Sequence, residues 1–562
     1  MLTHRPVPPL PRCPKARSIA KEVIRSYPVG RQEFCRALAG SPMELKVSSP
    51  EPFPADVQAN LLTMLNANSH GDWIDIPFER TDERTFTCRV VPQVPGLYAF
   101  RARFTRDGGA TWLQDPVPDA WVLVDPPQVD HMRQYTMIPS VSGTIADWSA
   151  QLPHIKEMGF NTIHLLPLTT LDASLSPYSA KDLFSVDPGY LAEGTDRDGL
   201  QQLEDFVETA KKLDLRLCFD LVLNHVGSHS LIVQNAPDWI VPDQASPDGF
   251  RRARYFSDKG WLPWNDLVLI DYEHPSERIR ADIFAYMTEY ALFWGKFADY
   301  TNGYVRFDNL HSSDKTFVSS VAKSLRKEYP NLGIIAEYFT DNSTLLNTVP
   351  MWGLNLILAT PWDRRFVPEL RDYLKHIHSV SEHVRFFMPI TSHDSGSPAQ
   401  EFASAQATIP RYVAAALLGS GATGITQGVE WGDSKKTEFI GRHPRIVRTG
   451  EPKFGKFLRL VNDILATHPT FRGGQNCKFV DNHHHAVIAA FRKNKPVPHS
   501  GYLVICNFDI MGDQVFETDL SQVLDISGPI TCRDLLTNQT LVFTTPKIKV
   551  LLPACAAMVL MF

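Results

Sequence analysis

Val305-Arg306-Phe307-Asp308-Asn309 is a short apolar run that ends in charge. Asp220-Leu221-Val222-Leu223-Asn224-His225 precedes it, and Ile334-Ile335-Ala336-Glu337 follows it. Each run suits a buried parallel strand with polar groups at its C-terminal end, the way a (β/α)8 barrel presents an active site. Three such ends in order carry Asp220, then Arg306 with Asp308, then Glu337. That order points to paired carboxylates and so to sugar chemistry.

The rhythm on either side supports a barrel. Strand-like runs at 161–168, 215–223, 303–308, 332–338, 353–359, 384–391 and 422–426 alternate with helical stretches such as TIADWSAQLPHIKEMGF at 144–160. About eight such units over 131–470, with no Gly-rich phosphate turn after the first strand, favour a closed barrel over a doubly wound open sheet. A loop-rich insertion at 226–275 follows strand 3. Residues 1–40 read as a tail with one short helix. Residues 41–130 read as an antiparallel β-sandwich module, because FTCRVVPQ and GLYAFRARF alternate apolar and polar residues and Asp107-Gly108-Gly109 marks a turn. Residues 471–562, with HAVIAAFR and GYLVICNF, read as a C-terminal antiparallel β domain.

A net charge of -6 and a pI near 6.3 give no reason to expect nucleic acid or a membrane as partner. No run approaches the length of a membrane span, and the Pro-rich, basic N-terminus lacks the apolar core of a secretory signal. The eight cysteines are dispersed without CxxC spacing. Buried free thiols in a reducing, cytoplasmic compartment are the expectation. The oligomeric state is left open.

Breaking an acetal needs one group to protonate the leaving oxygen and one ionised carboxylate across the anomeric carbon. Arg306 and Asp308 stand two apart on a strand and share a face, so the guanidinium is expected to keep Asp308 charged. Glu337 has apolar neighbours in Ile334, Ile335, Ala336 and Tyr338. Desolvation there is expected to raise its pKa, which suits a general acid/base. An Asp near an Arg is more often a structural ion pair, so this pair carries weight only with the other runs beside it.

FDLVLNHV (219–226), YVRFDNLH (304–311), IIAEYF (334–339) and ITSHDS (390–395) resemble the four signature regions of glycoside hydrolase family 13, the α-amylase family, in the family's order. The resemblance implies Asp308 as nucleophile, Glu337 as general acid/base and Asp394 as stabiliser of the oxocarbenium-like transition state. It implies that Arg306 holds Asp308 ionised, that His225 and His393 bond sugar hydroxyls, and that Asp220 and Asn224 brace the first region. In SPYSAKDLFSVDP (176–188), Tyr178 matches an aromatic platform under the sugar, and QGVEWG (427–432) resembles the end of the family's eighth strand.

Within the family, VRFDNLHSSD, AEYFTDN and HDSGSP resemble most the glucanotransferase barrel of glycogen debranching enzymes. The implied activity is retaining 4-α-glucanotransfer on maltooligosaccharide, glycogen or starch, with amylase-like hydrolysis as the alternative. A catalytically inactive glucan- or partner-binding barrel is a further reading, disfavoured because all three acids are present. A second, α-1,6-glucosidase domain is not expected.

Some positions depart from the family. Many amylases carry Lys-His three and four residues after the nucleophile; here those positions hold His311 and Ser312. Acceptor binding is thereby open. No cofactor is expected, with a structural calcium near Asn224 as the alternative. His483-His484-His485 reads as a polar turn rather than a metal site, since consecutive strand residues alternate sides. Trp239, Trp261 and Trp264 in the insertion could line donor subsites, and Trp73 and Trp112 could make the N-terminal module a glucan binder. Packing of a small loop domain explains the first equally well, and bracing of the barrel is the commoner role of a module such as the second.

Overall fold

The computed structural model describes residues 24–26, 34–67, 71–114, 119–257, 260–474, 476–494, 497 and 499–562. Two compact units result. The larger runs from Gln128 to Asp341, Leu356 to Ser381 and Arg385 to Phe562.

A closed parallel barrel forms the centre of the larger unit. Its strands are β1 (Arg133–Met137), β2 (Thr162–Leu165), β3 (Arg216–Leu221), β4 (Tyr304–Phe307), β5 (Gly333–Ala336), β6 (Leu356–Leu358), β7 (Phe386–Pro389) and β8 (Ala422–Thr426), and β8 pairs back onto β1. β3 to β5 are mostly apolar because helices cover the barrel outside and side chains fill it inside, with Asp220 and Arg306 as the buried exceptions. Cys218, Tyr304, Ile335, Leu356 and Phe387 pack in one cluster within it. Helices such as Ile145–Glu157, Gly199–Lys212 and Glu277–Tyr300 form the outer ring. The first two open on capping boxes, Thr144 with Asp147 and Asp198 with Gln201.

β1 is absent from the strands read in the sequence. Its run RQYTM mixes polar and apolar residues, and Gln134 and Thr136 line a cleft at the barrel mouth, so the apolar signal of a buried strand is missing. The insertion after β3 is more ordered than its loop-like composition suggests. His225–Gly227, Arg252–Ser257 and Gly260–Leu269 make a three-stranded antiparallel sheet. Beyond helix Gly455–Thr467, a six-stranded and a two-stranded sheet share an apolar core that includes Val487, Phe491, Ile505, Phe516 and Leu560. His483 sits at φ 56° in the turn before Val487–Lys493.

The smaller unit comprises the chain up to Pro127 with Asn342–Asn355 and Glu382–Val384. Two sheets face each other across Leu45, Val47, Phe53, Phe86, Phe104 and Val122. Among the described residues all pairings are antiparallel except one, Phe34–Leu38 with Ala120–Asp125. Trp73 and Trp112 each lie under a guanidinium, Arg101 at 4.9 Å and Arg103 at 4.2 Å from the ring centroids. Among the described residues seven cysteines are free, six of them buried, and no helix is long and apolar enough to cross a membrane.

Phe34–Leu38 corrects the reading of 1–40 as a tail, and Ile24–Ser26 is also a strand. The strand is completed only by its distant partner Ala120–Asp125, which local pattern cannot reveal. Residues 1–23 and 27–33, and any helix expected there, lie outside the described residues. Arg36 on this strand is buried. Its Nε donates to Asp125 Oδ2 at 3.0 Å and its Nη2 to Asp125 Oδ1 at 2.6 Å, and further bonds go to the carbonyls of Asn355 and His383. Breaking such a buried pair from one side leaves a charge uncompensated. Arg36→Met is therefore expected to lower unfolding stability by about 3–5 kcal/mol. Denaturant unfolding checks this, and a loss near zero would return residues 34–38 to the tail.

Candidate active site

The register of three neighbouring strands builds the site. Asp220 on β3 pairs directly with Arg306 on β4, and Phe307 pairs with both Leu221 and Ala336 on β5. Asp308 and Glu337 therefore stand one residue beyond their strand ends, side by side. Asp308 N donates to Leu221 O at 3.0 Å and Glu337 N to Phe307 O at 3.0 Å, so the ladder continues through both acids.

Arg306 ties these groups together. Nη1 donates to Asp220 Oδ1 and Oδ2 at 2.8 and 2.6 Å and to Asp308 Oδ1 at 3.1 Å. Nη2 lies 3.0 Å from Glu337 Oε2. Asn309 follows at φ 44°, a left-handed conformation that asparagine tolerates, and its N–H turns back to Glu337 Oε2 at 2.9 Å. Leu310 N donates to Glu337 O at 2.9 Å.

Tyr178 links this cluster to the fourth motif. Its hydroxyl donates to Asp220 Oδ2 at 2.9 Å and lies 2.8 Å from His393 Nε2. Its single proton goes to the carboxylate, so His393 carries a proton on Nε2 and donates it to the hydroxyl. The Tyr178 and His393 rings stack at 5.3 Å and 15°. His393 Nε2 is also 3.0 Å from Asp394 Oδ2, and the Asp394 side chain is 59% exposed. His225 donates from Nε2 to Tyr178 O at 3.1 Å, while its Nδ1 is buried without a partner. Tyr178, Asp220, His225, Arg306, Asp308, Glu337, His393 and Asp394 thus form one connected group.

Sequence reading missed His164, although its place in the apolar run NTIHLLPL was the available signal. Its Nε2 donates to Asp220 Oδ2 at 3.3 Å, and its Nδ1 accepts from Thr136 Oγ1 at 3.2 Å. Gln134 Nε2 donates in turn to Thr136 Oγ1 at 3.2 Å, and its own carbonyl oxygen is buried without a partner. Phe339, Trp362 and Arg365 were also unread. With Arg306, Glu337, His393 and Asp394 they line a cleft of about 420 Å³. Trp264 stacks on Tyr255 at 5.0 Å and approaches His225 at 6.4 Å, Trp239 packs on Tyr286, and Trp261 is exposed.

The electrostatics reverse one expectation. Burial, with the neighbouring Glu337 charge, pushes the Asp308 carboxyl well above the ordinary range despite Arg306. Burial also opposes the charge of Asp220, but Arg306 and His164 outweigh it and hold that carboxyl low. The guanidinium is committed first to Asp220 and is shared by two other acids, which adjacency in sequence does not show. Burial pushes His164 and His393 down, and His225 to about 4, so all three imidazoles are neutral near pH 7.

A hard cation needs six or more oxygens around it. Both side-chain atoms of Asn224 are buried without partners, yet among the described residues no three His, Cys, Asp or Glu groups converge on a metal-sized site.

Residues 127–248 match the family model described as the glucanotransferase domain of glycogen debranching enzyme. The chain is 24% identical over 267 residues to an α-1,4-glucan:maltose-1-phosphate maltosyltransferase from Rhodospirillum rubrum, covering 43% of this chain and 36% of the relative. It is 24% identical over 415 residues to the enzyme of that name from Salinibacter ruber, covering 66% of this chain and 58% of the relative. The chain thus spans about a third to three fifths of the curated relatives it matches first. A maltogenic α-amylase from Thermotoga neapolitana shares the fold at a TM-score of 0.62 and 16% identity, over 77% of this chain and 99% of that one. The resemblance to the α-amylase family carried by the four motifs thus extends to the sequence comparisons and to the fold.

A protonated Asp308 carboxyl is expected at pH values where ordinary carboxylates are ionised. Infrared difference spectroscopy of wild type against Asp308→Asn reads it directly. Glu430, pushed up to about 7 by burial, contributes a second protonated carboxyl that cancels in the difference. A difference spectrum without a protonated band at neutral pH refutes the assignment.

Proposed function

We propose that this chain, a glycoside hydrolase or transglycosylase of the α-amylase family, cleaves α-1,4-glucosidic bonds with retention and passes the glycosyl unit to a second glucan. The observation that carries this reading is the Arg306 guanidinium, held between Asp220, Asp308 and Glu337 at the ends of β3, β4 and β5.

Asp308 attacks the anomeric carbon while Glu337 protonates the departing oxygen, forming a covalent glycosyl-enzyme. Glu337 then takes the proton of the acceptor hydroxyl as that oxygen displaces Asp308. Three carboxylates face one guanidinium, so the site retains a proton among them near neutral pH. Productive binding places that proton on Glu337 and leaves Asp308 ionised. Asp394 and His393 reach the sugar from β7, with Tyr178 beside them.

Transfer is supported by the family model and by the printed names of the first relatives, all of which denote transferases. Hydrolysis is the second reading, favoured by the named amylase neighbour. A cytoplasmic role in glycogen or maltodextrin metabolism fits the buried, unpaired thiols.

Asp308→Asn is expected to lower turnover by on the order of 10⁴ or more, with folding and glucan binding kept. Equal activity in variant and wild type would remove Asp308 as nucleophile. Chromatography of products from a single maltooligosaccharide separates the two readings: longer as well as shorter chains mean transfer, and short sugars alone mean hydrolysis. The rate should also fall on the alkaline side, as the retained proton is lost and no acid remains for the leaving group.

A further inference from the structure

We infer that the segment after β8, residues 433–448, is a charge-latched strap whose Phe439 and Lys436 are positioning residues for the sugar-cleaving subsite. The inference rests on the reading above and adds residues that neither the motifs nor the comparisons assign.

The strap reaches the site at two points. Phe439, 8% exposed, sets its ring edge-on to both members of the Tyr178–His393 stack, at 6.2 Å and 86° to one and 5.0 Å and 85° to the other. The stacked pair is thus backed by a perpendicular ring, a geometry aromatic quadrupoles favour. Lys436 sits 5.0 Å over the Phe439 ring, and its Nζ donates to the Asp394 carbonyl at 3.2 Å. One short segment therefore touches the backbone of Asp394 and the rings of His393 and Tyr178.

Two arginine–aspartate pairs fasten the strap to the barrel and a third closes its two ends on each other, each beside a glycine. Arg442 pairs with Asp187, and a Cβ on Gly189 would collide with the Arg442 guanidinium. Arg445 pairs with Asp147, and a Cβ on Gly143 would meet both partners. Arg448 pairs with Asp433, and a Cβ on Gly428 would meet the Asp433 carboxylate. Main-chain bonds from Gly441 N to Leu175 O and Ile446 N to Val141 O complete the attachment. Each ion pair is partly exposed and weak alone. Acting together on one segment, they fix where Phe439 can sit.

A strap of this kind acts on the transition state rather than on affinity, since a small misplacement of His393 and Asp394 is felt most when charge develops on the sugar. Two variants test it. Phe439→Leu removes the edge contact. Gly189→Ala leaves the backbone unstrained and only displaces the Arg442 guanidinium. Both are expected to lower kcat on maltooligosaccharides by about tenfold while KM moves by less than about twofold, and Phe439→Tyr should restore most of the rate. Both should also shift the His393 ring resonances in NMR spectra, because its stacked surroundings change. Wild-type kcat and His393 resonances in either variant, or a loss of melting temperature alone, would overturn the inference. A wild type inactive on every α-glucan would instead sink the functional reading, and the His393 resonances would still decide the role of the strap.

Discussion

One guanidinium meets three carboxylates inside the barrel mouth, and most of the site follows from that imbalance. Arg306, Asp220, Asp308 and Glu337 are all substantially withdrawn from water. Burying a charge is expensive unless it is paired. Asp220 takes two of the contacts to Arg306, and Tyr178 and His164 bond it as well, so it is the acid that stays ionised. Asp308 and Glu337 divide what is left of the cation. Two neighbouring carboxyls under that constraint retain a proton more readily than either does alone. The structural ion pair and the reactive pair are thus separate consequences of one residue.

The barrel makes this arrangement cheap to specify. Parallel pairing puts Asp220 and Arg306 level across adjacent strands, and two further residues along β4 and β5 bring Asp308 and Glu337 above them. No loop has to be searched to assemble the acids. Loops then add Tyr178, which bonds Asp220; His393 and Asp394 after β7; and the 433–448 segment after β8. On the proposed reading, positions set by strands carry the chemistry, and positions set by loops adjust how the sugar meets it.

This division also governs what the sequence discloses. Val305, Phe307, Ile334 and Ile335 announce β4 and β5 because a doubly covered strand is apolar except where it feeds the site. β1 escapes notice because Gln134 and Thr136 face the cleft. Phe34–Leu38 escapes because its pairing partner lies far along the chain. Asp308 illustrates a subtler failure. Its neighbour Arg306 is visible two residues away, and the inference of a lowered pKa follows from that neighbour alone. The other claims on the guanidinium, from Asp220 and Glu337, exist only in three dimensions. Phe439 carries no periodic or motif signal, since its importance lies in two ring contacts that a loop happens to deliver.

On the proposed reading, the choice between water and glucan as acceptor turns on the residues that follow Asp308 and Glu337. His311 follows the nucleophile and Phe339 follows the acid, and their rings approach to 5.5 Å. His311 is exposed, and desolvation of its ring pushes the imidazole down, so this wall is neutral rather than cationic. A cation there would bind acceptor hydroxyls but also hold water. A neutral imidazole beside an exposed phenyl ring offers an apolar face on which a pyranose can stack. An acceptor seated there displaces water from Glu337 as it arrives. The departure from Lys-His, which by sequence only left the acceptor open, therefore becomes a physical argument for transfer over hydrolysis.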